Sequence, residues 1–210
     1  MRTILYLHGF ASSPAGRKIT LLRETLPADE FRVVAPDLNQ PSFAKLDFRE
    51  IVAAAVGVAE REAPAVVVGS SLGAMVALEA SRRGVRAPLV LIAPALAFGK
   101  RWTEKLAPGD PLSFFHHAQN REAPIHRRFF EEMAEVDSDR DAPRERVTIL
   151  MGVKDESVPF DGVYRTWERW EASGALKAGS RFIALPDGDH GLIAYVGQIA
   201  AEVRRAAATG

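Results

Sequence analysis

The chain has 210 residues, enough for one domain that buries roughly 70% of its unfolded surface. It is 47% hydrophobic and 26% charged, with 27 basic and 27 acidic residues in balance, so neither a nucleic-acid nor an anionic-membrane surface is expected. Cysteine is absent, which excludes disulfides, thiolate metal sites and a cysteine nucleophile, and suits a reducing compartment.

In chain order, Thr3 to Leu7 is a five-residue apolar run that breaks at His8-Gly9, so it reads as a strand and not as a secretory leader. A helix from Gly16 to Leu26 follows, with Ser12 or Ser13 placed to cap it. Phe31 to Val34 is the next strand. Phe48, Ile51, Val52, Ala55 and Ala59 then form a helical stripe. Ala65 to Val68 is a third strand. The helix behind it, Leu72 to Arg83, ends on two arginines and Gly84. Leu89 to Ile92 lies within the longest apolar run, Ala87 to Phe98, which Pro88 and Pro94 interrupt and which falls short of the ~20 residues of a membrane span. The expectation is a cytoplasmic protein with no membrane span.

From Ala95 to Arg146 no strand is evident. Asp110-Pro111 reads as a helix start followed by Leu112 and Phe115, and Ile125, Phe129 and Met133 make a second helical stripe. A small helical cap at about 95–146, inserted into a single domain spanning 1–210, is the simplest account. Phe98, Trp102, Leu106, Leu112, Phe114, Phe115, Phe129 and Phe130 would either cover an acyl pocket or fasten the cap to the sheet. Strands resume at Val147 to Met151 and Arg181 to Leu185. Tyr164, Trp167 and Trp170 follow helical spacing between them, as core or as an interface that leaves a homo-oligomer open. A last stripe runs through Leu192, Tyr195, Val196, Ile199 and Val203. Strands that are mostly apolar throughout and alternate with helices imply a mostly parallel sheet with helices on both faces. Such a sheet places its chemistry at the carboxyl ends of its strands.

Gly69-Ser70-Ser71-Leu72-Gly73 matches G-x-S-x-G in a strand–turn–helix context, with Ser71 central. Small residues at Gly69 and Gly73 let strand and helix approach, and the N–H of Leu72 falls at a helix N-terminus. Ser70 is then a small filler. The bland alternative is a serine that caps the helix. A dinucleotide loop fits poorly, because Met75 stands where the third glycine belongs.

A serine nucleophile needs a base, and the base an orienting acid. His190, in "PDGDHGL", follows the Arg181 to Leu185 strand. Asp155, in "GVKDESVP", follows the Val147 to Met151 strand, with Glu156 and Asp189 as rivals. His116, His117 and His126 fall in the insertion, where an exposed face is a simpler reading than a metal site. His8 and Gly9 belong to "YLHGFASSP", whose turn can offer the N–H of Phe10 as a second oxyanion donor.

Four motifs in this order, "YLHGFASSP", "GSSLGA", "GVKDESVP" and "GDHG", resemble those of the α/β-hydrolase superfamily, and within it the small bacterial YqiA-like serine esterases. The resemblance implies carboxyl-ester or thioester hydrolysis without a cofactor, on a small-molecule ester of small to medium acyl groups. It implies Ser71 as nucleophile, Asp155 as acid, His190 as base, and Phe10 and Leu72 as oxyanion donors. Acyl transfer, carbon–carbon bond hydrolysis by the same triad, or a non-catalytic ligand receptor are the alternatives.

Overall fold

The structure is a computed structural model that describes residues 1–96, 106–117, 119–137 and 139–208. Six strands, β1 (Arg2–Leu7), β2 (Phe31–Val34), β3 (Val66–Ser70), β4 (Leu89–Ile92), β7 (Val147–Gly152) and β8 (Arg181–Leu185), form one sheet in the order β2-β1-β3-β4-β7-β8. Every neighbouring pair in it is parallel. β3, β4 and β7 are buried along their whole length, which is why they read as continuous apolar runs.

Helices α1 (Arg17–Thr25), α2 (Phe48–Glu62), α3 (Leu72–Arg82), α5 (Phe160–Ala172) and α6 (Val196–Ala207) cover the sheet. The chain runs outward from β1 to β2, then returns across β1 to β3 and continues the other way. Right-handed crossovers therefore put α1 on one face and α2, α3 and α5 on the other, and α6 packs beside α1. The reversal between β1 and β3 opens a crevice at their carboxyl ends, where the loops after both strands meet. α2 begins at an Asp47 cap, whose Oδ1 accepts from the N–H of Arg49 at 2.8 Å and of Glu50 at 3.1 Å. Among the described residues no helix is long and apolar enough to cross a membrane.

The inserted segment departs from expectation. Asp110-Pro111 does not start a helix but leads into β5 (Leu112–His116), which pairs antiparallel with β6 (Arg121–Ile125). The deciding pattern has period two: Leu112 and His116 are buried while Ser113 and Phe115 face out. Ile125 ends β6, and the helical stripe begins only at α4 (Arg128–Ala134), where Phe129, Phe130 and Met133 are buried. Two further corrections are local. The last helix starts at Val196, because Leu192 has a left-handed φ of 50° and precedes a short 3-10 turn. Neither Ser12 nor Ser13 caps α1; Ser13 Oγ instead accepts from the N–H of Ala15 at 3.2 Å.

The hairpin and α4 are fastened over the β1 loop. His117 donates its N–H to the Ala11 carbonyl at 3.0 Å. The Phe10 ring meets Phe114 edge-on at 5.4 Å, stacks on Phe129 at 6.1 Å and meets Phe130 at 5.9 Å. These contacts pack the hairpin and α4 on the β1 loop, Phe114 and Phe115 also line a cavity at Ser71, and Phe98 and Trp102 lie outside the described residues. Phe129→Ala, emptying a site with 1% exposure, is expected to lower stability by about 3–5 kcal/mol in urea unfolding. A loss below about 1 kcal/mol would show that the cluster does not anchor the cap.

Candidate active site

Ser71 sits between β3 and α3 with φ 54° and ψ −116°, a conformation that costs an L-residue on the order of 1–3 kcal/mol. Its surroundings force it. Its N–H donates to the Ile92 carbonyl at 2.9 Å, and its own carbonyl accepts from Ala74 at 3.0 Å and Ala95 at 3.2 Å. A Cβ on Gly69 would lie 2.6 Å from the Ala74 Cα, and one on Gly73 would lie 2.6 Å from the His8 carbonyl oxygen. Both glycines are therefore required for space. Ser71 occupies the N-cap position of α3, yet its hydroxyl makes no capping bond. It lies instead 3.1 Å from His190 Nε2.

The other ring nitrogen, Nδ1, is 2.8 Å from Asp155 Oδ2. The Asp155 side chain is fully buried and the His190 side chain is 32% exposed. Asp155 Oδ1 accepts from the N–H groups of Ser157 at 2.9 Å and Val158 at 2.8 Å, so both carboxylate oxygens have donors. The rivals turn elsewhere. Glu156 is exposed, and Asp189 Oδ1 accepts from the N–H of Leu192 at 2.7 Å.

Asp155 and His190 meet because their loops touch backbone to backbone. Val153 donates to the Leu185 carbonyl at 2.9 Å and Lys154 to the Gly188 carbonyl at 3.0 Å. A Cβ on Gly152 would sit 2.6 Å from the Gly188 carbonyl carbon, so the contact exists only with glycine.

On the opposite side, the β1 loop closes against the serine. A Cβ on Gly9 would lie 3.3 Å from Ser71 Cβ, which sets the closeness of that approach. His8 is buried and fixed as the neutral Nδ1–H tautomer: Nδ1 donates to the Gly9 carbonyl at 2.9 Å and Nε2 accepts from the N–H of Leu38 at 3.0 Å. Burial also pulls its pKa below the usual imidazole range. It holds the loop and does not face the serine hydroxyl. Leu72, as first residue of α3, has an N–H without an intrahelical acceptor.

Two cavities meet at Ser71 and His190. One, of about 320 Å³, is lined mainly by apolar groups, among them Phe10, Ala11, Ala95, Phe114 and Val158. The other, of about 260 Å³, has the polar side chains of Tyr6, Ser12, Lys18 and Ser70 in its wall. Lys18 was not among the residues the motifs single out. It stands four residues before the buried Leu22, on the stripe of α1 that faces the protein, and only the fold brings it to Ser70. Ser70 is correspondingly more than a filler, since Lys18 Nζ donates to its hydroxyl at 2.9 Å. The insertion's histidines separate: His116 is buried edge-on to Phe43 at 4.3 Å, while His126 pairs with Asp110 at 3.2 Å. Among the described residues no three His, Asp or Glu side chains converge as metal ligands.

A family model described as "Uncharacterised protein family (UPF0227)" matches residues 3–177, a span that includes Ser71 and Asp155 and stops before His190. The chain belongs to that family. The UPF0227 chain has the fold of the α/β hydrolases, as three solved structures show. Est1E from Butyrivibrio proteoclasticus, with ferulic acid bound, superposes with a TM-score of 0.76 at 15% identity over 100% of this chain and 90% of its own. Alpha/beta hydrolase domain-containing protein 10 from mouse gives 0.74 at 18% identity over 97% and 88%. The monoacylglycerol lipase of Paleococcus ferrophilus gives 0.72 at 16% identity over 99% and 95%. No curated protein sequence matches.

Gly152 and Gly162 make a paired test of the loop contact, since a Cβ on the helical Gly162 meets nothing within 4 Å. Gly152→Ala is expected to destabilise by about 1–3 kcal/mol through overpacking, and Gly162→Ala to stabilise by about 0.5–1 kcal/mol, both read from urea unfolding. Equal effects would remove the argument that the two loops need glycine to meet.

Proposed function

We propose that this UPF0227 protein is a serine hydrolase that cleaves carboxyl esters or thioesters through an acyl-enzyme on Ser71. The observation that carries the reading is the continuous relay from a strained serine to a buried carboxylate: Ser71 Oγ to His190 Nε2 at 3.1 Å, His190 Nδ1 to Asp155 at 2.8 Å. A serine that merely ended a strand or capped a helix would need neither the left-handed φ nor the imidazole.

In the first half-reaction His190 Nε2 takes the Ser71 proton as Oγ bonds to the ester carbonyl carbon. The carbonyl oxygen becomes an oxyanion, held by the N–H groups of Phe10 and Leu72. The bond to the leaving alcohol or thiol breaks, and His190 returns the proton to it. Water then repeats the sequence on the acyl-serine, with His190 as base again, and releases the acid. Asp155 holds the imidazole in the tautomer that leaves Nε2 free to accept. The apolar cavity beside Phe10 and Phe114 suits a small to medium acyl group. Support of a weaker kind comes from the names of the structural relatives, which include an esterase domain, a lipase and a methylesterase.

A p-nitrophenyl ester series from acetate to decanoate, run on wild type and Ser71→Ala, is expected to show turnover that peaks at short or medium chains and disappears in the variant. Asp155→Asn should lower kcat by up to ~10⁴-fold while leaving unfolding largely unchanged. Wild-type turnover that survives Ser71→Ala would overturn the assignment.

A further inference from the structure

The second cavity contains a cation that the ester mechanism leaves without a task. Lys18 Nζ donates one hydrogen bond, to Ser70, and makes no ion pair among the described residues. An ammonium carries three protons, so two remain available. Lys18 is half-buried and its ammonium has one neutral hydrogen-bond partner, an arrangement that suits a group facing a ligand. Beside it the Tyr6 hydroxyl is buried in the same wall, next to the same Ser70 hydroxyl. The first turn of α1, which also lines the cavity, has no side-chain cap.

The carboxylates nearest the ammonium are already engaged. Asp155 serves His190, Ser157 and Val158, and Asp189 serves Leu192. Both act on Lys18 only through space. Burial lowers its pKa to about 8 against the pull of those two carboxylates, so the side chain is a cation at neutral pH and loses its charge in mild alkali. Of the other groups around the cavity, Arg17 and His117 are exposed, His8 spends both ring nitrogens on Gly9 and Leu38, and burial holds the Tyr6 phenol well above its usual range, as a donor.

We propose that the cavity at Lys18 binds a carboxylate carried by the substrate itself, on the side of the scissile carbonyl opposite the apolar cavity. The proposal rests on the serine-esterase reading and narrows it to esters that carry an acidic group on one flank and an apolar group on the other. Because both cavities include Ser71 and His190, the charged group lies only a few atoms from the reacting carbon. One half-buried ammonium matches a singly charged carboxylate.

Two matched ester pairs decide it. Mono-p-nitrophenyl glutarate against p-nitrophenyl pentanoate places the charge on the acyl side, and the butyryl ester of glycolate against that of glycolamide places it on the leaving-group side. In at least one pair kcat/KM for the anion is expected to exceed that for its neutral partner by ~10-fold or more at low salt, the effect of one charge-assisted hydrogen bond. Lys18→Met should bring that ratio to near one; general damage to the enzyme affects both esters and cancels. In wild type the same ratio should fall as pH rises past about 8, since kcat/KM reports the free enzyme, and titration of His190 is common to both esters. Ratios near one in both pairs, or a ratio unmoved by Lys18→Met, would overturn the proposal. If the variant does not fold, the wild-type series decides alone, and a ratio constant from about pH 7 to about 9.5 refutes it. A wild-type protein that hydrolyses none of the four esters and takes no fluorophosphonate fails the esterase reading first, and this proposal with it.

Discussion

The close approach of α3 to the first strand is the constraint on which the rest of the site depends. Gly73 lies against the carbonyls of Leu7 and His8, with no room for a Cβ, and Gly69 lies against Ala74. A helix that begins this near its own strand leaves a single residue to turn the chain, and that residue is driven to positive φ. Ser71 is thereby lifted out of the sheet and presented to the crevice between β1 and β3. The strain is held by backbone hydrogen bonds to β4 and to the residues after it, not by the serine side chain, which stays free to meet His190.

A second contact of the same kind operates across the crevice. Gly152 and Gly188 bring the loops after β7 and β8 together, and the acid and the imidazole arrive on neighbouring stretches of backbone. Asp155 is then fixed by three donors and His190 by one carboxylate, so the imidazole has little freedom about its ring orientation. Backbone proximity thus does the positioning, and the polar side chains complete it. The β1 loop closes the third side through His8, whose two nitrogens tie Gly9 to Leu38.

Much of this was legible in the sequence because its physics is local. Each of the six sheet strands is a short β-branched or apolar run, and in β3, β4 and β7 burial on both faces makes the run stand out. The glycine spacing around Ser71 and the strand-end positions of Asp155 and His190 carry the same kind of signal. What is not legible there depends on partners distant in sequence. Leu112 and Phe115 are spaced as on a helix, but Leu112 faces Ile125 across a hairpin, and pairing decided the segment. Leu192 continues the apolar stripe of the last helix by spacing, yet Asp189 takes its N–H and turns the chain before that helix begins. Lys18 reads as an ordinary surface lysine until α1 is placed on the sheet, where its ammonium meets a serine 52 residues away.

The proposed reactive group is the hydroxyl of Ser71, and not that of its buried neighbour Ser70. Fluorophosphonate labelling followed by peptide mass spectrometry tests it most directly. One adduct per chain is expected, carried by Ser71, and none on a folded His190→Ala protein. An adduct on Ser70, or an unlabelled wild-type protein, would contradict it.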